Sequence, residues 1–147
     1  MYSEIDGNFP NHHPDPSNES NLIKLKQEMK RQNADFGFAF DGDGDRVGVV
    51  NNKLELIAGD ILTTFLAQSI SEKKYPIILD VKSSQKCKQF LENLDYEVLI
   101  WKTGHSHIKT KMKKIKSQFA GEMSGHIFFG DTYYCLLYTS PSPRDTA

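Results

Sequence analysis

From residue 60 onward, helical and extended stretches alternate, and this alternation limits the fold more than any other feature. Residues 60–74 carry Ile61, Phe65, Leu66 and Ile70 at helical spacing, with Asp60 placed to cap. YPIILDV (75–81) reads as a buried strand. A helix over 84–94 follows, with Cys87, Phe90, Leu91 and Leu94 inward, and YEVLIW (96–101) is the next strand. Residues 105–117 form a helix striped by Ile108, Met112 and Ile115. Residues 119–123 and 126–130 are short extended pieces around a glycine-rich turn. The order α, β, α, β, α, β predicts an α/β fold with layered sheets and flanking helices. In such sheets ligand sites gather at the carboxyl ends of strands. The polar clusters DGDGD, DVKSS, KTGHS and GEMSGH fall there, each after a strand, which predicts one shared site.

The first half has a different texture. DGNFPNHHPDPSNES reads as loop. A helix follows, capped by Ser17 or Asn18, with Leu22, Leu25 and Met29 as its stripe. FGFAF (36–40) and RVGVV (46–50) read as partner strands, NNK as a tight turn, and LELIA (54–58) as a third strand. This piece is short and offers these strands few partners beyond one another, so an exposed, aggregation-prone edge is expected.

Between the first two strands lies DGDGDR, with carboxylates at Asp41, Asp43 and Asp45. Crowded this closely, each raises its neighbours' pKa unless a counter-charge intervenes. A divalent cation removes the conflict, and an all-oxygen donor set suits magnesium or calcium over zinc. Gly42 and Gly44 let alternate side chains converge. A calcium EF-hand is excluded: its sixth and twelfth loop positions need Gly and Glu, and these hold Arg46 and Asn52. Magnesium is expected, with an outside phosphate completing its shell. Arg46 supports that, since a guanidinium beside a metal suits a phosphate bridging both. A solvated acidic hairpin turn is the plainer alternative.

GEMSGH sets Glu122, Ser124 and His126 at alternate positions. In an extended loop they share one face and can hydrogen-bond a polyol such as a sugar, though a polar surface turn is the alternative. Lys82 follows a buried strand, where a lysine can hold a phosphate or carry a proton, or simply face water. His105 opens a helix whose N-terminus favours anions. His105 and His107 diverge there, so a zinc site is not expected. His12 and His13 sit in a proline-stiffened loop and are read as structural.

Composition removes other classes. The net charge of -1 gives no general attraction to nucleic acid or an anionic membrane, and the basic helix at 109–116 lacks interleaved aromatics. No run reaches the roughly 18 apolar residues of a membrane span, and the N-terminus has no signal-peptide pattern. Cys87 and Cys135 form no metal or redox spacing, so a cytoplasmic, reduced setting is expected.

Taken in order, DGNFPNHHPDP, AFDGDGDRVGVV, DVKSSQ, WKTGHSHIK and AGEMSGHIFF resemble the α-D-phosphohexomutases, in their bacterial phosphomannomutase/phosphoglucomutase branch. Members have four domains. The resemblance implies parts of two of these α/β domains: the later part of the second over 1–55, with the metal loop, and the third over 56–134, with the sugar loop. Residues 135–147 look like translated sequencing-adapter read-through, with a linker as the alternative. It also implies magnesium on Asp41, Asp43 and Asp45, a phosphate contact at Arg46, and sugar-hydroxyl contacts at Glu122 and Ser124. Lys82, His105 and His126 match residues lining the active site, where substrate contact and proton transfer are assigned. The implied reaction moves a phosphoryl group between the 1- and 6-positions of mannose or glucose phosphate, through a phosphoserine and a bisphosphate. No Ser-His-Asn-Pro type motif is present, so the chain alone is expected to be catalytically silent. A stand-alone magnesium or sugar-phosphate-binding module is the rival reading.

Overall fold

The computed structural model describes residues 6–70 and 72–130. A 3-10 turn at Glu19–Leu22 leads into α1 (Ile23–Gln32). Three strands follow: β1 (Gly37–Phe40), β2 (Val47–Val50) and β3 (Leu56–Ile57). They pair antiparallel in the order β1-β2-β3. Next come α2 (Gly59–Ile70), β4 (Ile77–Asp80), α3 (Gln85–Asn93), β5 (Val98–Trp101), α4 (His105–Ile115), β6 (Phe119–Gly121) and β7 (Ile127–Phe129). The second sheet has the order β5-β4-β6-β7. β4 is parallel to both β5 and β6, and β7 returns antiparallel on β6. The α/β order and the mixed, layered sheets are as expected.

Alternation along the strands explains the layers, since residues i and i+2 share a face. Ile77 and Leu79 of β4 and Phe119 of β6 pack with Leu62 and Ala67 of α2 and Leu91 of α3. Ile78, Ala120 and Phe128 point the other way, onto Ile108 and Met112 of α4. Val49 of β2 joins the first of these cores, so the two sheets share a packed boundary. A smaller core unites Leu22, Met29 and Val50 with Leu25, Ala39 and Leu56. Burying a side chain such as Leu22 or Met29 contributes about 1.5–3 kcal/mol.

Caps set several ends. Asn18 accepts the Ser20 amide at 3.0 Å, so of the two expected caps it is Asn18 that serves. α1 stops at Asn33, whose left-handed backbone returns its N–H to the Met29 and Lys30 carbonyls. Ser84 caps α3 through the Lys86 amide, and Lys116 ends α4 in the left-handed region.

Several expectations need correction. Ile61 and Phe65 are 55% and 65% exposed, so they are not the inward stripe of α2. That helix lies close to β6 through small residues instead: Thr63 rests on Gly121, with Thr64 and Ala67 also buried. The threonine hydroxyls can be buried because each donates to its own helix, Thr63 to the Gly59 carbonyl and Thr64 to that of Asp60, both at 2.7 Å. Asp60 lies inside the first turn, where its carboxylate accepts the Ile61 and Ser84 amides. α2 ends at Ile70, short of residue 74, and Glu72–Tyr75 form a turn before Pro76. Phe90 is 48% exposed, and only Leu91 of the expected α3 stripe is fully enclosed. The third strand is shorter than 54–58 because Leu54 takes a positive φ of 65° in a turn closed from Asn51 to Glu55. The expectations for residues 131–147, Cys135 included, lie outside the described residues.

Candidate functional site

The carboxyl ends of β4, β5 and β6 carry the DVKSS, KTGHS and GEMSGH segments, as the parallel topology requires. The acidic loop between β1 and β2 meets them from the other sheet.

That loop is built around Asp41, whose side chain is 2% exposed. One carboxylate oxygen accepts the Arg46 backbone N–H at 3.1 Å, and the other accepts Arg46 Nε at 2.6 Å. Gly44 turns the chain with φ 72°, a region costly for any residue with a Cβ. The loop thereby brings one oxygen each of Asp41, Asp43 and Asp45 within 4.8 Å of one another. Arg46 also lies 3.9 Å from Asp15 and 4.0 Å from Asp45. Asp15, in the proline-rich segment, was not foreseen in this role.

The titration pattern records the crowding. Burial pushes the Asp41 carboxyl up, but the Arg46 hydrogen bonds outweigh it and hold Asp41 below its ordinary value. Burial raises Asp45, and the Asp41 and Asp43 charges add to this, so it stays raised despite His126. Hard oxygens and a carboxylate resisting ionisation beside its neighbours are what a divalent cation satisfies. The residues present fit such an ion.

The glycine-rich turn expected between the extended pieces 119–123 and 126–130 is present, but Glu122, Ser124 and His126 do not lie along one face of an extended loop. The turn is tight and joins β6 to β7, closed by Gly125 N–H to the Glu122 carbonyl and by Glu122 N–H to that of His126, both at 3.0 Å. Gly125 has φ 95°, and a Cβ there would meet the Val47 carbonyl at 2.6 Å. That close approach lets Val47 N–H donate to the Gly125 carbonyl at 3.1 Å, tying β2 to the turn. The turn still gathers its three polar residues, though upon one another. His126 Nδ1 lies 2.9 Å from Glu122 Oε2 and 2.9 Å from Ser124 Oγ. Its Nε2 lies 3.2 Å from Asp45 Oδ2, so the imidazole joins the turn to the acidic loop.

Glu122 is 1% exposed. Burial raises its carboxyl, but the His126 hydrogen bond, the Gly104 N–H at 2.6 Å and the nearby imidazoles bring it below its ordinary value. For His126, burial opposes the charged ring, yet Glu122 and Asp45 prevail and raise its pKa. His105, the first residue of α4, sits half-buried with its ring centroid 6.1 Å from that of His126.

Seven of the expected site residues and His105 therefore converge: the three aspartates with Arg46, and Glu122, Ser124 and His126. Lys82 enters none of these contacts; it is exposed on the turn after β4. One further carboxylate enters the framework. Asp80, wholly buried, accepts hydroxyl hydrogen bonds from Ser83 and Thr103. One sign was available in the sequence, a lone carboxylate ending an apolar strand. None of the helices among the described residues is long and apolar enough to cross a membrane.

Comparison with known proteins places the chain among its relatives. Residues 1–55 match the family described as phosphoglucomutase/phosphomannomutase, alpha/beta/alpha domain II, and residues 58–139 match its domain III. A phosphomannomutase/phosphoglucomutase of Pseudomonas putida is 48% identical over 136 residues, covering 91% of this chain and 29% of that protein. A phosphoglucomutase of Neisseria gonorrhoeae is 43% identical, covering 91% of this chain and 30% of its own length. The crystal structure of a phosphoglucomutase/phosphomannomutase family protein from Burkholderia thailandensis superposes with a TM-score of 0.85 at 42% identity, over 92% of this chain and 30% of that one. The chain thus spans under a third of the length of these relatives. With both domain matches in chain order and this level of identity, the chain belongs to the phosphoglucomutase/phosphomannomutase family, the α-D-phosphohexomutases.

Proposed function

We propose that this chain supplies the metal loop and the sugar loop of an enzyme that moves a phosphoryl group between the 1- and 6-positions of a hexose phosphate. Residues 1–55 act as the later part of the second domain and residues 56–134 as the third, the domain III match running on to residue 139. The observation that carries this reading is the His126 bridge, which puts the acidic loop and the GEMSGH turn in one polar cluster.

Asp41, Asp43 and Asp45 would hold magnesium. Bound there, the ion supplies positive charge to phosphoryl oxygens, which suits a transfer governed by charge neutralisation and positioning. Arg46, aimed by Asp41, offers its remaining N–H groups to a phosphate. Ser124 and Glu122 bind sugar hydroxyls; Ser124 is partly exposed on the turn, whereas Glu122, enclosed and accepting from Gly104 and His126, meets a sugar only once the turn opens around it. His126, held between two carboxylates, can keep a proton near the substrate. Lys82 and His105 flank the same strand ends and offer cationic or hydrogen-bonding contact to the ester. Mannose and glucose phosphates both suit this chemistry.

Titration of the isotope-labelled chain with glucose 1-phosphate, in magnesium, tests the reading. Amide shifts at Arg46, His105, Ser124 and His126 are expected. Shifts absent from these residues at saturating sugar phosphate would sink it.

A further inference from the structure

Asp80 is 0% exposed, at the carboxyl end of the central strand β4, in register with Trp101 of β5. It shares the strand face of Ile78, towards α4. A carboxylate there is tolerable only if hydrogen-bond donors reach it. The donors come from two different loops. Ser83 Oγ donates to Oδ1 at 2.8 Å, and Thr103 Oγ1 donates to Oδ2 at 3.3 Å. Ser83 N–H also closes onto the Asp80 carbonyl at 3.0 Å. Ser83 follows Lys82, and Thr103 lies two residues before His105.

The surroundings extend this arrangement on both sides. Asp60 Oδ2 accepts the Ser84 amide at 2.8 Å, pinning the next residue of the Lys82 turn. Glu122 Oε1 accepts the Gly104 amide at 2.6 Å, pinning the next residue of the other loop. Each loop is therefore anchored at adjacent residues by separate buried carboxylates, and Asp80 is the one shared by both.

We propose that Asp80 is a positioning residue: a buried post that fixes the spacing of the Lys82 turn and the His105 loop through one hydroxyl from each. The purpose of that spacing, holding a cation and an imidazole to one sugar phosphate, rests on the function proposed above. The coupling of the two loops does not.

Thr103→Val keeps shape and removes one hydroxyl, and Thr103→Ser restores a hydroxyl. In nitrogen–proton spectra of the chain, Thr103→Val is expected to move the amides of Lys82 and Ser83 together with those of Gly104 and His105. Thr103→Ser is expected to return all four towards their original positions. The magnesium-induced shifts at Asp41, Asp43 and Asp45 stay unchanged. Ser83→Ala is the reciprocal probe and moves the 103–105 amides. Glucose 1-phosphate then binds about fivefold more weakly to Thr103→Val, since only part of the lost hydrogen bond reaches the ligand through the loop spacing. Changes confined to the mutated loop, or no recovery with Thr103→Ser, would overturn the proposal. If the unaltered chain ignores glucose 1-phosphate while the loops remain coupled, the sugar-phosphate reading fails and Asp80's role in coupling the loops stands.

Discussion

Asp45 and His126 lie 81 positions apart in the chain, yet Oδ2 of one is 3.2 Å from Nε2 of the other. This contact turns the acidic loop and the β6–β7 turn into one cluster, since the same ring meets Glu122 through Nδ1 at 2.9 Å. A ring between two carboxylates, one of them buried, is held in both orientation and charge. His126→Ala leaves Glu122 buried without its counter-charge, which costs about 1–3 kcal/mol. Urea unfolding should show that loss, and Ser124→Ala should cost less. Equal effects for the two would mean that the ring serves only as packing.

Metal binding separates the three aspartates by their other duties. Asp43 is exposed, whereas Asp41 also anchors Arg46. Asp43→Asn is expected to weaken magnesium binding about tenfold or more with little change in unfolding midpoint. Asp41→Asn should lose both affinity and stability. Calorimetric titration with magnesium, paired with thermal unfolding in chelator, reads both quantities. Unchanged magnesium affinity for Asp43→Asn would remove the loop from the metal site.

The carboxyl of Glu122 sits below its ordinary 4.5, because the His126 and Gly104 hydrogen bonds exceed the burial penalty. A carboxylate lowered on folding adds stability above its unfolded pKa, and that share disappears as pH falls through the folded value. Glu122→Gln should therefore be less stable than the original chain at pH 6. The gap should narrow as pH drops below 4.5. Unfolding free energies at several pH values test this, and a constant gap would deny the charged form its role.

How much of this could be read from sequence depended on the range of the interaction. The metal loop was legible because its determinants are local: alternate carboxylates, glycines between them and Arg46 at the end. The α/β order was legible for the same reason. The α2 face was misread because Ile61 and Phe65 carry the helical period, while close approach to Gly121 calls for Thr63 and Ala67. Hydroxyls that bond back to their own helix are apolar in effect, and periodicity does not count them. The glycine-rich turn in GEMSGH is legible because its closing bonds are local, but its docking on β2 is not, since that needs the bond from distant Val47 to the Gly125 carbonyl. Asp80 was missed because its two partners arrive from loops that meet only in the folded sheet.

The last prediction concerns β1, an edge strand of its sheet among the described residues. Phe36, Phe38 and Phe40 are 57%, 57% and 51% exposed, at alternate positions that share one face. An exposed aromatic stripe along an edge strand invites pairing with another chain. Phe38→Thr with Phe40→Thr keeps strand propensity and removes the apolar surface. Light scattering over a concentration series should show less self-association for the double variant. Its unfolding free energy should stay within about 0.5 kcal/mol per site, because these rings contribute little to the core. Equal self-association in both proteins would place the sticky surface elsewhere, with the exposed Ile61 and Phe65 of α2 as the next to test.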